Sequence, residues 1–155
     1  MQKQKSEKNG EKLLGKDKLL METKPLFVHQ KNAIDFVLAR GGSGALFHEM
    51  GLGKTRTAIE ILGRLREKEP NLRMLVFAPL SLLEAAWRED VYAFSGFSFH
   101  NLRNGCEPEI EIMDIMAINY EFLLSKQKVS LLVKMIKVTT DAGAPWMCVL
   151  DESSR

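Results

Sequence analysis

The chain has 155 residues, 45% hydrophobic and 27% charged, with a formal net charge of +2. That length allows one globular domain, and so small a basic excess does not by itself argue for a nucleic-acid partner. The two cysteines, Cys106 and Cys148, are too few for a disulfide framework and lack metal-ligand spacing, which suits a reducing compartment.

Residues 1–24 alternate Lys, Glu, Gln and Gly and read as a flexible charged lead, with no apolar stretch long enough for a signal peptide or a membrane span. A cytoplasmic location, or a nuclear one in a eukaryote, is therefore expected. The folded part is expected over 25–155. His29 to Arg40 carries Ala33, Ile34, Val37 and Leu38 at helical spacing, and Gly41-Gly42-Ser43-Gly44 breaks that helix. Ala45-Leu46-Phe47 predicts a short apolar strand, which runs into His48-Glu49-Met50-Gly51-Leu52-Gly53-Lys54-Thr55. Ala58, Ile61, Leu62 and Leu65 then recur on one helix face until Pro70.

Gly-x-Gly-Lys-Thr between a strand and an amphipathic helix is a phosphate-binding loop. The glycines let main-chain N–H groups turn onto phosphate oxygens, and the helix start adds its positive dipole end. Met50, Gly51, Leu52, Gly53, Lys54 and Thr55 are accordingly the candidate nucleotide-binding residues: Lys54 for the β- and γ-phosphates, the Thr55 hydroxyl for Mg²⁺. His48 stands where the strict pattern asks for glycine, so the match is to the relaxed form of helicase-like ATPases. The preceding Gly42-Ser43-Gly44 is no dinucleotide fingerprint, because it lacks the third glycine and precedes a strand.

Met74-Leu75-Val76-Phe77-Ala78 is a continuous apolar run of the kind buried on both faces of a parallel sheet, ended by Pro79. Ser81 and Glu84 have capping-box spacing for a helix bearing Leu82, Leu83, Ala86, Trp87 and Val91, closed at Ser95-Gly96. Strands are expected within Phe97 to Leu102 and at Ile115-Met116-Ala117-Ile118. Glu121 to Val138 returns to helical spacing through Phe122, Val129, Leu132, Val133 and Ile136. The last strand is Trp146-Met147-Cys148-Val149-Leu150, with Cys148 expected in the core, and it runs straight into Asp151-Glu152. The alternation predicts an α/β fold, a mainly parallel sheet with helices on both faces.

An apolar strand ending in Asp-Glu downstream of a phosphate loop supplies the second half of an ATPase site. Asp151 is expected to hold Mg²⁺, through water, and Glu152 to orient the attacking water, which with Lys54 completes the candidate catalytic set. Gln30 has an amide suited to bidentate pairing with adenine N6 and N7, and Phe27 beside it is placed to touch the base ring or to anchor the core.

Taken together, Leu26-x-x-His29-Gln30, Glu49 to Thr55, Val76 to Leu83 with Trp87, Asn119-Tyr120-Glu121 and Leu150-Asp151-Glu152-Ser153 resemble the successive motifs of the Swi/Snf-like helicases of superfamily 2. The resemblance covers the chain from about Pro25 to its end and implies the first RecA-like, P-loop lobe, with ATP and Mg²⁺ as cofactors. It implies adenine reading by Gln30, phosphate and metal roles for Lys54 and Thr55, and the acidic pair at Asp151 and Glu152. By the same resemblance Ser81, Leu82, Asn119 and Tyr120 lie in segments that touch nucleic acid, and DNA, as a duplex, is the implied partner. The chain stops at Arg155, soon after the acidic pair, so the lobe is expected to be incomplete at its C-terminus. The second RecA-like lobe, normally in the same chain, is expected to lie outside these residues. The implied function is the ATP-binding part of an ATP-dependent DNA translocase or helicase, with little or no turnover expected from this lobe alone. A stand-alone nucleotide- and DNA-binding module without turnover, and the motor part of a restriction enzyme or an RNA helicase, remain as alternatives.

Overall fold

A computed structural model describes residues 24–46, 51–102 and 113–151. Residues 1–23 of the expected lead, Phe47, Met50, Cys106 and Glu152 lie outside the described residues. Helix α1 spans Val28–Leu38 and α2 spans Lys54–Arg66. Strand β1 (Arg73–Phe77) follows, then a continuous helical stretch made of α3 (Leu80–Leu82), a π-helical segment (Leu83–Arg88) and α4 (Glu89–Phe94). Strands β2 (Phe99–Asn101) and β3 (Ile115–Ile118), a 3₁₀ turn (Tyr120–Leu124), helix α5 (Lys126–Asp141) and strand β4 (Trp146–Leu150) complete the order.

The described strands form one parallel sheet in the order β2-β3-β1-β4, with Phe77 opposite Ile118 on one side and Leu150 on the other. Successive side chains of a strand point to opposite faces, and the sheet therefore feeds two apolar layers. Met74, Val76, Ile115 and Ala117 pack with Ile59 and Leu62 of α2 and with Leu83, Trp87 and Val91. Leu75, Met116 and Ile118 pack with Phe122 and Leu132 on the other face. Helix α1 lies on the flank of α2, joining Ile34 and Val37 to Ile61.

Four expectations are corrected. Ala45 and Leu46 do not pair as a strand. The capping box at Ser81 and Glu84 does not form, because the helix already begins at Leu80 behind an extended Pro79, which makes Ser81 its second residue. Glu84 instead accepts from Asn101 Nδ2 (2.9 Å) and pairs with Arg88 (2.9 Å). The helix expected over Glu121 to Val138 is two elements, broken at Ser125, whose Oγ accepts from Lys128 N (3.4 Å) and so caps α5. Cys148 is exposed, not buried, because β4 is an edge of the described sheet.

The opposite rim of the sheet is held by Asp114, just ahead of β3. Its carboxylate accepts from Arg66 Nη1 (2.6 Å), Ser98 N (2.9 Å) and Ser98 Oγ (2.8 Å), while Asp114 N donates back to Ser98 Oγ (2.9 Å). Burial would raise its pKa, but the Ser98 hydrogen bonds and the Arg66 guanidinium together outweigh burial and hold it below the ordinary carboxylate value. A group whose pKa is lower folded than unfolded stabilises above its unfolded pKa and loses that contribution as pH falls through the folded one. Asp114→Asn should therefore cost about 1.5–3 kcal/mol near neutral pH, the usual worth of hydrogen bonds to a charged group. In urea melts followed across pH, the gap from wild type should narrow below about pH 4; a gap unchanged between pH 7 and pH 3 would contradict the assignment.

Candidate nucleotide site

The position of Gly51 to Thr55, the described part of the candidate phosphate loop, follows from how α2 lies across the sheet. Arg66, the last residue of α2, reaches Asp114 at the rim where β3 begins. A helix of 13 residues rises about 20 Å, slightly more than a five-residue strand spans. The first turn of α2, with Lys54 and Thr55, therefore stands at the rim where β1 and β4 end, and Asp151 directly follows β4 on that rim. In parallel α/β sheets this is where ligands bind.

Gly51 and Gly53 have φ of +82° and +72°, a region that side-chain-bearing residues rarely occupy. A Cβ at Gly53 would stand 2.4 Å from Gln30 Nε2, so the Gln30 amide would have to shift to admit a side chain there. It serves as the N-cap of α2 without a side-chain cap, and the first turn of that helix contains no acidic residue. The leading N–H groups of a helix have no partner within it, so this end is suited to an anion.

Two residues at the start of α1 clamp the loop. His29 Nε2 donates to Leu52 O (3.0 Å), and Gln30 Nε2 donates to Gly53 O (3.2 Å). The same Gly53 carbonyl accepts from Thr57 N (3.0 Å) and from the buried Thr57 Oγ1 (3.1 Å). Gln30 Oε1 meanwhile accepts from Phe27 N (2.9 Å), tying the entry of α1. An amide side chain has two donors and two acceptor sites, so one of each remains after these bonds, the number that an adenine N6/N7 edge requires. Gln30 is buried, whereas Phe27 is exposed and stacks on His29 with ring centroids 5.6 Å apart.

Asp151 is held from three sides. Its N–H donates to Phe77 O (2.8 Å), its carbonyl accepts from Tyr120 Oη (2.7 Å), and its Oδ2 accepts from Trp87 Nε1 (3.0 Å). Tyr120 Oη also lies 3.2 Å from Phe77 O, so it closes the ends of β1 and β4 together. Among the other expected site residues, Ser81 is exposed and Leu82 packs against the core. Asn119 Nδ2 donates to Glu121 Oε2 (2.6 Å). Met50 and Glu152, expected beside these, lie outside the described residues. Thr57 and the loop contact of His29 do not belong to the motifs that mark the site in the sequence. Thr57 stands four residues after Gly53, the spacing at which a helical hydroxyl meets a carbonyl, and that spacing was a usable signal.

The profile of the SNF2-related domain matches residues 29–153. The chain belongs to the SNF2-related domain family. No curated protein matches it. Among solved structures, this SNF2-related domain is similar to the Sulfolobus solfataricus SWI2/SNF2 ATPase core in complex with dsDNA, with a TM-score of 0.62 at 21% identity. The alignment covers 84% of this chain and 32% of that one, so the SNF2-related chain spans about a third of the length of that solved relative. At such identity the likeness establishes the fold, a P-loop RecA-like α/β lobe with a parallel sheet and helices on both faces.

Proposed function

We propose that this chain is the ATP-binding lobe, over 25–155, of an ATP-dependent translocase that moves on duplex DNA. The reading is supported by the direction of α2 across the sheet, which puts Gly51, Gly53, Lys54 and Thr55 toward the same rim as Asp151 at the end of β4. In this reading the loop N–H groups and Lys54 bind the nucleotide phosphates, and Gln30 reads adenine with its remaining donor and acceptor. Glu152 orients the attacking water.

The residues present also fit Mg²⁺. Among the described residues no cluster of three or more His, Cys, Asp or Glu could cage a metal. Magnesium in nucleotide sites does not need a cage, since it keeps several waters and takes one or two carboxylates beside the phosphates. The Thr55 hydroxyl and the Asp151 carboxylate, whose Oδ1 accepts no hydrogen bond from the described residues, form such a set. When bound, the ion neutralises charge on the β- and γ-phosphates.

Duplex DNA is the proposed track, in keeping with the dsDNA in the similar solved structure. Exposed Ser81 and the Asn119 side chain are the members of the two expected contact segments best presented to it, since Leu82 and Tyr120 are engaged inside the lobe. Contacts of this kind go to backbone phosphates and weaken steeply with salt. Among the described residues no helix is long and apolar enough to cross a membrane.

The test is displacement of a third strand from a DNA triplex by the chain joined to its second lobe. ATP-dependent displacement, lost on Lys54→Ala, is expected. Duplex-stimulated ATP hydrolysis without displacement would overturn movement along the duplex while leaving the ATPase reading intact.

A further inference from the structure

Trp87 lies in the π-helical segment, 1% exposed, with its indole N–H donating to Asp151 Oδ2 at 3.0 Å across 64 residues of sequence. A buried indole offers one polar atom and needs one partner. Here that partner is the carboxylate at the nucleotide rim. The π segment matters to this placement: a π turn is wider than an α turn, and such turns are uncommon and concentrate at functional sites.

The bond has a chemical consequence. Indole is a neutral donor, so it orients the carboxylate without cancelling its charge, as a lysine or arginine in the same place would. It occupies Oδ2 and leaves Oδ1 for other partners. The main-chain bonds to Phe77 O and from Tyr120 Oη place the Asp151 backbone but do not set the rotation of its side chain. Among the described residues Trp87 alone does so.

We propose that Trp87 is a positioning residue for Asp151, its indole N–H holding Oδ2 so that Oδ1 is presented to the hydration shell of nucleotide-bound Mg²⁺. The proposal rests on the assignment of Asp151 to Mg²⁺ made above. Outer partners of metal-side carboxylates typically change metal affinity or activity by about 10- to 100-fold when removed.

The measurement is the Mg²⁺ dependence of binding of a fluorescent ATP analogue to the chain, with Trp87→Phe, Asp151→Asn and the double variant. Trp87→Phe keeps an aromatic ring in the core and removes the donor. It is expected to raise the Mg²⁺ concentration for half-maximal binding by about 10-fold, read at a temperature where the variant is still fully folded, since loss of the buried indole and its bond also lowers stability. Asp151→Asn should raise it at least as far, and the double variant no further than Asp151→Asn, because one interaction cannot be lost twice. Wild-type Mg²⁺ dependence in Trp87→Phe, with Asp151→Asn shifted, overturns the proposal and leaves the Asp151 assignment standing; so does strict additivity, which would mark a packing effect. No shift in Asp151→Asn overturns the assignment itself and the proposal with it.

If Trp87→Phe does not fold, the Trp87 emission in a Trp146→Phe background replaces it, since the chain has only these two tryptophans. That emission should respond to Mg-ATP and lose its response in Asp151→Asn. Emission that ignores Mg-ATP, or that responds equally in Asp151→Asn, overturns the proposal.

Discussion

Lys54→Ala is expected to weaken Mg-ATP binding by about 100-fold, the largest effect of any single side chain in this lobe. Lys54 opens α2, half-buried, directly after the left-handed Gly53 that turns the chain. In the proposed site its ammonium is the cation offered to the phosphates, alongside backbone donors. Removing one partner of a largely desolvated charge pair costs about 2–5 kcal/mol, and each 1.4 kcal/mol is about tenfold in affinity. Alanine is the best helix former, so α2 and the melting temperature should survive the change. Calorimetry checks both halves of the expectation. Equal ATP affinity in two equally folded proteins would remove the phosphate loop from the mechanism.

The second large effect concerns turnover. A polypeptide of these 155 residues is expected to release phosphate at or near the uncatalysed rate, with little response to duplex DNA. Addition of the second RecA-like lobe, in trans or in the same chain, should raise the rate by about 10³- to 10⁵-fold, the worth of an arginine finger in phosphoryl transfer. The reason is electrostatic: in the proposed site Lys54, Thr55 and Asp151 would address charge already present on bound Mg-ATP. Groups that accelerate the reaction must meet the charge that develops in the transition state. Within the two-lobed protein, Glu152→Gln should abolish turnover while leaving ATP binding intact. Phosphate release by the 155 residues alone at the rate of the DNA-bound two-lobed protein would show that the first lobe holds the whole catalytic apparatus.

Both expectations rest on residues whose chemistry is local. A glycine at +72° followed by Lys-Thr and an amphipathic helix is specified by neighbours in the chain. The same is true of a β-rich apolar run ending in aspartate, and of β1, which forms over Arg73–Phe77 with its middle fully buried. Periodicity was a weaker guide to burial. It groups Val133 with Leu132, yet Val133 is 56% exposed and Leu132 is buried, because helical spacing marks a face without saying how wide its cover is. Cys148 fails for a related reason. An apolar strand reads alike at the centre and at the edge of a sheet, and only pairing order separates them.

The sequence by itself determined that this chain carries Gly-x-Gly-Lys-Thr at the start of a helix, ends a strand in aspartate and alternates strands with helices, since each of these depends on residues within a few positions of one another. The tertiary structure alone decided what those residues touch. Gln30 meets Gly53 across 23 residues, Arg66 meets Asp114 across 48, and Trp87 meets Asp151 across 64. Tyr120, whose motif suggests nucleic acid, turns inward to the Asp151 carbonyl. Hydrogen bonds of this kind require donor and acceptor to coincide within a few tenths of an ångström. That coincidence is set by strand order, register and the π-helical turn, which no local pattern of side chains encodes.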